Sequence, residues 1–290
     1  MRIAFVGLGA MGRPMAANLA GRFDIQVWNR TGTVATEHAA AHGSTAVDAL
    51  DDLDDVEVVC SCLPTTVEVA AVARQLVPRL DAGTVWLDHT SGDPQQARDL
   101  AAELAGQGID YLDAPVSGGT AGAAAGSLTV MVGGDAEALE QVTDVLDAVA
   151  DRVVHVGPSG AGMAVKAVNN ALLAAALWAS AEGFAALEQA GVPTSVALEV
   201  VNASSGRSNA TEQLFPERVV TREFPNTFAL GLLAKDVGLA RATLDGAGVE
   251  GPVLHLVDRL TTDAADALGS DVDHTELVRM VERATGVELR

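Results

Sequence analysis

Two patterns of apolar residues divide this chain near its midpoint. In the first half, short apolar runs such as Ile3–Val6 alternate with stretches of helical period such as Pro14–Leu19. Short apolar runs predict buried strands, and the longer period predicts the helices that connect them. After Val156, nearly every segment has the helical period. We therefore predict a doubly wound, mostly parallel α/β sheet over residues 1–158, followed by an all-helical domain over residues 159–290 that a long helix joins to it.

The same pattern predicts six further strands and several helices. The strands are Ile25–Trp28, Val56–Cys60, Thr84–Leu87, Ile109–Leu112, Leu128–Val132 and Val153–Val156. In the first half, one further helix begins near Thr66, and two others cover Pro94–Gly106 and Ala136–Ala150. The helices of the second half cover Ala161–Ala190, Ser195–Asn202 and Phe228–Leu244. The helix at Ala161–Ala190 is apolar nearly all round, which predicts burial in a helical core or against another subunit. The polar segment Ser204–Asn209 is either the lining of a ligand cleft or a surface loop.

Composition limits the partners of the protein. The net charge is −21, whereas nucleic acids and anionic membranes bind basic surfaces, so neither is expected as a partner. No continuous apolar run approaches the ~18 residues that a membrane span needs, and the chain enters its first strand without the layout of a signal peptide. A cytoplasmic protein is therefore expected. Cys60 and Cys62 are the only cysteines, and we interpret them as buried thiols rather than a disulfide or a metal site.

A glycine-rich turn follows the first strand. Gly7-Leu8-Gly9-Ala10-Met11-Gly12 lies between a strand and a helix, which is the arrangement of a dinucleotide-binding turn. In that arrangement Gly7 makes the tight turn, Gly9 lets the backbone approach a pyrophosphate, and Gly12 lets helix and strand pack closely. The N-terminal amides of the helix then face the phosphates. We interpret all six residues as cofactor-binding, against the alternative of a purely structural glycine turn.

The end of the second strand favours NADP over NAD. An NAD-binding fold places an acidic residue about 20 residues after the first glycine, where it binds the ribose 2′-hydroxyl. This chain has Asn29 there, followed by Arg30 and Thr31. The Arg30 guanidinium can pair with a 2′-phosphate, and Thr31 can donate a further hydrogen bond. The alternative is that Arg30 is a surface arginine on a turn, and NAD stays possible.

Further candidate site residues follow the later strands. Leu63-Pro64 and Thr90-Ser91 lie at predicted carboxyl ends of strands, the edge at which an α/β sheet binds ligands. In Ser117-Gly118-Gly119 a hydroxyl is followed by two amides that no side chain shields, which suits a carboxylate. Ser117 as a nucleophile is the alternative, and it is disfavoured because no histidine lies near it in the sequence. His89 is a candidate acid–base group, although a loop histidine is more often simply solvated.

Lysine is nearly absent from this chain. Of its 18 basic residues, only Lys166 and Lys235 are lysines. Lys166 follows the glycine-rich segment Gly157–Gly162 at the start of the long helix, and Asn170 lies one turn later on the same helical face. Small residues at a helix start let its first turn approach a ligand closely. A lysine retained at this position indicates a chemical role.

Four separated motifs, in this order and spacing, resemble the β-hydroxyacid dehydrogenase family. They are the Gly7–Gly12 turn, Asp113–Gly119, Gly160-Ala161-Gly162 with Lys166 and Asn170, and Lys235-Asp236. The resemblance covers essentially the whole chain and is strongest to bacterial-type 3-hydroxyisobutyrate dehydrogenases. It implies a Rossmann domain followed by an all-helical domain, assembled as a homodimer or homotetramer.

The resemblance also implies roles for individual residues. Lys166 matches the catalytic lysine with Asn170 beside it, and Lys235 matches a lysine that closes over cofactor and substrate. The contacts to the substrate carboxylate match Ser117, Gly118 and Gly119, and Asp236 accompanies Lys235 in the substrate site. Positions at the nicotinamide end match Leu63, Pro64, Glu68 and Ser91, next to Cys62 at the end of its strand.

These roles imply hydride transfer between NADP, or NAD, and a small 3-hydroxy acid, with oxidation of 3-hydroxyisobutyrate to methylmalonate semialdehyde as the first expectation. Lys166 takes the hydroxyl proton in oxidation and returns it in reduction. Burial, Lys235 and the charge of the oxidised nicotinamide are expected to lower the lysine pKa from ~10.4 toward ~7–8. The alternatives are reduction of glyoxylate, succinic semialdehyde or tartronate semialdehyde, or cofactor binding without catalysis. Lys166 disfavours the last alternative, because non-catalytic members of the superfamily lack this lysine.

Overall fold

The computed structural model describes residues 1–290 and consists of two compact units, Met1–Lys166 and Ala167–Arg290. The division lies beyond the predicted domain boundary at residue 158, because the first turn of the long helix belongs to the first unit. Met163 is buried in an apolar cluster of that unit, and its amide donates a hydrogen bond to the carboxylate of Asp113.

A nine-stranded sheet forms the centre of the first unit. Its strands are β1 (Arg2–Val6), β2 (Asp24–Trp28), β3 (Thr45–Ala46), β4 (Val58–Ser61), β5 (Val85–Asp88), β6 (Asp110–Asp113), β7 (Val116–Ser117), β8 (Leu128–Gly133) and β9 (Ala150–Gly157). The order β3-β2-β1-β4-β5-β6 is parallel throughout, whereas β8 pairs antiparallel with β6 and β7 and parallel with β9. The mostly parallel sheet is thereby confirmed. Strand order reverses between β1 and β4, and the carboxyl ends there form the crevice in which such sheets bind ligands.

Helices of the first unit connect the strands. They are α1 (Gly12–Ala20), α2 (Gly32–His42), α3 (Thr66–Leu76), α4 (Pro94–Ala105), α5 (Gly119–Ala125), α6 (Ala136–Gln141) and α7 (Thr143–Leu146). Along β1, Ile3 and Phe5 are buried in one apolar cluster and Ala4 and Val6 in another. Successive side chains of a strand point to opposite faces, so both faces of this sheet are covered. Strands buried on both faces are continuous apolar runs, which is why the sequence pattern predicts them.

One predicted helix of this unit is wrong in part. The segment Ala136–Ala150, predicted as a single helix, forms the two short helices α6 and α7, and β9 begins at its last residue. Val142 separates the two helices with φ −115° and ψ 13°. The side chains of Val142, Val145 and Leu146 are all buried. Their packing in the core outweighs the helical period of the sequence.

The second unit is all-helical, as predicted. It contains most of α8 (Ala161–Gln189), then α9 (Thr194–Asn202), a π-helical segment (Ala210–Val219), α10 (Leu230–Gly246), α11 (Pro252–Leu268), a 3₁₀ turn (His274–Leu277) and α12 (Val278–Thr285). The sequence pattern does not predict the π-helical segment. Pro216 lies inside it and cannot donate a backbone hydrogen bond, which argues against a helix at this position. The polar residues Ser204–Arg207 are exposed, as in a surface loop.

Helix α8 is long and apolar enough to cross a membrane by length and composition alone. In the second unit, however, its residues Ala171, Leu177 and Phe184 are buried in the core together with Phe215. Core helices pass the same test of length and composition, so α8 is weak evidence for a membrane span. The predicted burial of this helix in a helical core is confirmed for this side, while Leu172 is exposed.

Candidate active site

The glycine-rich turn after β1 has a conformation that only glycine allows. Gly7 has a φ of 98°, and a Cβ there would lie 2.3 Å from the carbonyl oxygen of Cys62. A Cβ at Gly12 would lie 2.0 Å from the carbonyl oxygen of Gly7, so glycine is required for α1 to approach β1. Apart from Gly9 itself and its two chain neighbours, no residue has an atom within 4 Å of the Cβ position of Gly9. The turn thus leaves open the space that a pyrophosphate needs.

The start of α1 fits the same ligand. The helix begins at Gly12, and Met11 before it provides no side-chain cap. The first amides of a helix have no intrahelical partner and need one from a side chain, water or a ligand. A pyrophosphate accepts hydrogen bonds from such amides and is attracted by the positive end of the helix dipole. The residues present therefore fit a dinucleotide.

Asn29 at the end of β2 braces the glycine-rich turn. Its Oδ1 accepts a hydrogen bond from the Leu8 amide at 3.0 Å, and its Nδ2 donates to the Thr31 carbonyl at 3.1 Å. Arg30 and Thr31 are exposed beside the start of α2, where the Thr31 side chain does not cap the helix. A guanidinium, a hydroxyl and a helix N-terminus are thus available at the position predicted to bind a 2′-phosphate.

The predicted nicotinamide end continues this edge of the sheet. The Leu63 amide donates to the Thr90 hydroxyl at 3.0 Å, and the Leu63 side chain approaches to 2.7 Å of the Cβ position of Gly7. Gly7, Cys62, Leu63 and Thr90 are therefore contiguous. Pro64 is exposed, and Ser91 is half-buried.

Glu68 has a helix-capping contact. It accepts a hydrogen bond from the hydroxyl of Thr65, which in turn accepts one from the Val67 amide at the start of α3. The hydrogen bond from Thr65, and to a smaller extent the charge of Arg30, lower the pKa of Glu68. Its predicted place at the nicotinamide end stays a prediction.

The two cysteines are free thiols, as predicted, but only Cys60 is buried, whereas Cys62 is half-buried. Burial raises the pKa of Cys60, and it raises the pKa of Cys62 to about 12. Thiols with raised pKa values are poor nucleophiles. The Cβ of Cys62 lies 3.2 Å from the Cβ position of Gly12, so its role here is packing beneath the glycine-rich turn.

A buried polar network lies under this edge and was not predicted. The carboxylate of Asp88, at the end of β5, accepts hydrogen bonds from Ser61 Oγ at 2.9 Å, Tyr111 OH at 2.7 Å and the Thr90 amide at 3.1 Å. Burial raises the pKa of Asp88, while these three hydrogen bonds lower it. Through Thr90, the network fixes the backbone of Leu63.

His89 is buried, which corrects the expectation of a solvated loop histidine. Its Nδ1 lies 2.8 Å from the carbonyl oxygen of Ala114, so we assign the proton to that nitrogen. Burial lowers the pKa of His89 to about 4, and the ring is neutral at neutral pH. The contact ties the end of β5 to the residue after β6, which is a structural role.

The segment predicted to bind the substrate carboxylate has an unusual backbone. Gly118 and Gly119 have φ values of 132° and 64°, and Ser117 before them is half-buried. A Cβ at Gly118 would also lie 3.0 Å from a methyl carbon of Leu128. Glycine alone adopts this conformation without strain, and it leaves the amides unshielded. Such amides beside a hydroxyl suit a carboxylate ligand.

Asp113, at the end of β6, holds the start of α8. Its side chain is fully buried, its Oδ1 accepts a hydrogen bond from the Gly160 amide at 2.6 Å, and its Oδ2 accepts one from the Met163 amide at 2.9 Å. Burial raises the pKa of Asp113 to about 6, against these two hydrogen bonds, which lower it.

Three predicted site residues of the second unit form one cluster. Asn170 Nδ2 donates to Asp236 Oδ2 at 2.6 Å, and Lys235 Nζ lies 3.0 Å from Asp236 Oδ1. Asn170 and Asp236 are 3% and 2% exposed, so the carboxylate is shielded from water. Asn170 donates its hydrogen bond to Oδ2, and Oδ1 has the Lys235 ammonium as its ion-pair partner. Lys166 is half-buried and precedes Asn170 by one turn of the continuous helix α8.

Fold and site together define an NAD(P)-dependent oxidoreductase. Residues 2–157 match the family profile described as the NAD binding domain of 6-phosphogluconate dehydrogenase. Residues 160–281 match the profile described as NAD-binding of NADP-dependent 3-hydroxyisobutyrate dehydrogenase. The chain belongs to the β-hydroxyacid dehydrogenase family, whose members are NAD(P)-dependent 3-hydroxyacid dehydrogenases.

Three relatives are similar over nearly their whole length. A 2-(hydroxymethyl)glutarate dehydrogenase of Eubacterium barkeri is 35% identical over 100% of this chain and 97% of its own. An NAD-dependent L-serine dehydrogenase of Pseudomonas aeruginosa is 38% identical over 87% of this chain and 88% of its own. The structure of Mycobacterium tuberculosis 3-hydroxyisobutyrate dehydrogenase with L-serine has a TM-score of 0.89 and 31% identity, covering 97% of this chain and 98% of that one.

Two buried carboxylates at this site, Asp88 and Asp113, have no role predicted from sequence. Each is the last residue of an apolar strand, and an acidic residue at that position is the signal that points to them. Their partners are distant in sequence, since Ser61 lies 27 residues from Asp88 and Met163 lies 50 residues from Asp113.

Proposed function

We propose that this enzyme oxidises a small 3-hydroxy acid of the form HOCH₂–CHR–COO⁻ with NADP, and that 3-hydroxyisobutyrate is its preferred substrate. The observation that carries the proposal is the placement of Lys166 one turn before Asn170, whose amide is held by Asp236 at 2.6 Å. The names of the relatives support the substrate form. 2-(Hydroxymethyl)glutarate, L-serine and 3-hydroxyisobutyrate all carry a primary alcohol one carbon from C2, and they differ in the group R.

In the proposed mechanism, the Ser117 hydroxyl and the amides of Gly118 and Gly119 hold the substrate carboxylate. Lys166 Nζ takes the proton of the substrate hydroxyl during oxidation and returns it to the alkoxide during reduction. The nicotinamide of the bound cofactor supplies the hydride acceptor or donor. Asn170 and Lys235 stay ordered because Asp236 binds both, so neither must lose side-chain freedom when the substrate arrives.

The preference for NADP rests on the end of β2. Asn29 offers no carboxylate for a ribose 2′-hydroxyl, and its carboxamide is engaged with Leu8 and Thr31. The exposed Arg30 can form a charge-assisted pair with a 2′-phosphate.

We also propose that the enzyme is cytoplasmic and assembles as a homodimer or homotetramer. Val165, Leu172, Ala179 and Ala186 repeat every seven residues along α8, and all four are exposed. A seven-residue apolar stripe on a helix is typical of a surface that packs against another helix. Introducing a charge with Leu172→Glu is expected to reduce the mass measured by light scattering to a smaller assembly. The wild-type mass in Leu172→Glu would contradict this surface.

One kinetic comparison tests the proposed reaction. We would measure kcat/KM for 3-hydroxyisobutyrate, L-serine, 2-(hydroxymethyl)glutarate, glycerate and 4-hydroxybutyrate, each with NADP and with NAD. Glyoxylate, succinic semialdehyde and tartronate semialdehyde are assayed in the reverse direction. Pocket contacts to a single methyl group discriminate by only ~1–3 kcal/mol, so ratios of 10- to 200-fold among the related acids are expected. A preference for glyoxylate or succinic semialdehyde, whose reduced forms lack the HOCH₂–CHR–COO⁻ framework, would overturn the proposal.

Lys166→Ala tests the proton transfer itself. Its loss is expected to lower kcat by ~10²–10⁴-fold, the usual contribution of general acid–base catalysis. Lys166→Arg is the matched control, because it keeps the positive charge but cannot deprotonate at neutral pH. Turnover near the wild-type value in Lys166→Ala would remove this residue from the proposed role.

A further inference from the structure

Asp113 binds one end of α8 with both of its carboxylate oxygens. Oδ1 accepts from the Gly160 amide at 2.6 Å and Oδ2 from the Met163 amide at 2.9 Å. The two amides flank the first residues of the helix, which begins at Ala161. Since the carboxylate is fully buried and bidentate, the helix start is fixed both in position and in rotation about its axis.

Glycines let this contact form at close range. A Cβ at Gly162 would lie 2.4 Å from the carbonyl oxygen of Met131 and 2.6 Å from that of Asp113. A Cβ at Gly133 would lie 2.5 Å from the Asp113 carboxylate. The first turn of α8 therefore lies directly against β6, β8 and the Asp113 carboxylate.

The same carboxylate connects the two parts of the proposed site that lie in the first unit. Ser117 follows Asp113 by four residues, and Lys166 follows Met163 by three residues, less than one helical turn. We propose that Asp113 is a positioning residue that holds the Lys166 side chain in register with the Ser117–Gly119 segment. The Ser117–Gly119 segment binds the substrate carboxylate and Lys166 binds the substrate hydroxyl. The buried contact of Asp113 with the start of α8 then sets the distance between these two groups. This inference rests on the proposed function of Lys166 and of the Ser117–Gly119 segment.

The experiment compares Asp113→Asn with the wild-type enzyme. The amide keeps the size of the side chain but presents an NH₂ group to one of the two backbone amides, which turns the start of α8. Small displacements of a reacting group cost up to ~10²-fold, so kcat is expected to fall by ~10–100-fold. The solvent isotope effect on kcat should rise because proton transfer to Lys166 becomes slower. The NADPH dissociation constant, measured by fluorescence, should stay within about twofold, because the Asp113 carboxylate binds the amides of Gly160 and Met163, which lie outside the Gly7–Gly12 turn.

Thr261→Val is the control for the loss of buried hydrogen bonds, since the Thr261 hydroxyl also donates to the Val257 carbonyl oxygen at 2.7 Å. Thr261 is fully buried in the second unit and accepts from Trp178 Nε1 at 3.2 Å. This variant is expected to be less stable but to keep kcat and the isotope effect. A folded Asp113→Asn enzyme with kcat within about threefold of wild type would overturn the inference, as would an equal loss of kcat and cofactor affinity.

A second variant covers the case in which Asp113→Asn does not fold. Gly162→Ala leaves the carboxylate intact and pushes the helix start away from it, and the same fall in kcat with unchanged NADPH affinity is expected. Wild-type kcat in this variant would overturn the inference. Lys166→Ala distinguishes failure of the proposed function from failure of the positioning role of Asp113. If Lys166→Ala is fully active the proposed function fails, whereas an inactive Lys166→Ala with an active Asp113→Asn refutes only the positioning role.

Discussion

The ion pair between Lys235 and Asp236 allows a quantitative test of the role proposed for the cluster of Asn170, Lys235 and Asp236. Asp236→Asn keeps an acceptor for Asn170 but removes the negative charge 3.0 Å from Lys235 Nζ. Asp236 is 2% exposed and the Lys235 side chain 25%, so water compensates only part of the loss.

The expected magnitude follows from the geometry. At 3.0 Å and an effective dielectric constant of about 20, the Coulomb energy of the pair is about 5 kcal/mol before desolvation. Burying the carboxylate offsets part of this energy, and charged hydrogen bonds contribute ~1.5–3 kcal/mol net. We therefore expect Asp236→Asn to lower the free energy of unfolding by that amount. We expect kcat/KM to fall by ~10–100-fold, because Asp236 holds Asn170 and Lys235 in the proposed site and a misplaced site group costs up to ~10²-fold.

A double-mutant cycle isolates the pair. Asp236→Asn, Lys235→Met and the double variant are unfolded in urea, and the coupling energy is the departure from additivity. A coupling energy above ~1 kcal/mol is expected for this pair. The exposed pair of Arg207 and Glu212, 62% and 48% exposed at 3.6 Å, is the control and should give ~0.5 kcal/mol or less. A coupling energy of Lys235 with Asp236 no larger than that of the control would refute the reasoning.

Three further predictions concern the first unit. Gly12→Ala should lower the free energy of unfolding, measured in urea, by ~2 kcal/mol or more, because its Cβ meets the Gly7 carbonyl oxygen at 2.0 Å. Gly9→Ala should change the free energy of unfolding by less than ~0.5 kcal/mol. It should instead weaken NADP binding, measured by fluorescence titration, about tenfold or more. Arg30→Asp should lower the ratio of kcat/KM with NADP to that with NAD by ~10²-fold, because a charge-assisted contact of ~1.5–3 kcal/mol is replaced by repulsion. Burial, with smaller effects of the charges of His42 and Arg13, lowers the pKa of His38. As pH falls, the unfolded state therefore binds a proton before the folded state does, and stability should fall below pH ~6.5. The urea midpoint should depend less steeply on pH in His38→Gln than in the wild type.

Each of these predictions has a contradicting result. Equal effects of Gly9→Ala and Gly12→Ala on stability would contradict the different surroundings assigned to the two glycines. An unchanged cofactor ratio in Arg30→Asp would remove the 2′-phosphate contact. For His38, the control is His155→Gln, an exposed histidine of β9, and an equal flattening in both variants would show that burial of His38 is not the cause.

The sequence alone determined those features that depend on neighbouring residues. The strands of the first unit are apolar runs because both faces of the sheet are covered, and the period of α8 places Lys166 and Asn170 one turn apart without knowledge of the fold. The glycine-rich turn is predictable for the same reason, since the positive φ of Gly7 and the contact of Gly12 with Gly7 arise within six residues.

Only the tertiary structure decided the features that join distant segments. Asp236 lies 66 residues from Asn170, and Asp113 lies 47 residues from Gly160, so no local pattern relates them. The burial of His89 and the break at Val142 also depend on the packing around them, which outweighs what a loop position or a helical period indicates. The residues proposed to carry out the chemistry can be predicted from the sequence because the geometry of helices and turns depends on neighbouring residues. The contacts by which buried carboxylates hold these residues in place are seen only in the fold, because a buried charge is stable only where the chain brings donors to it.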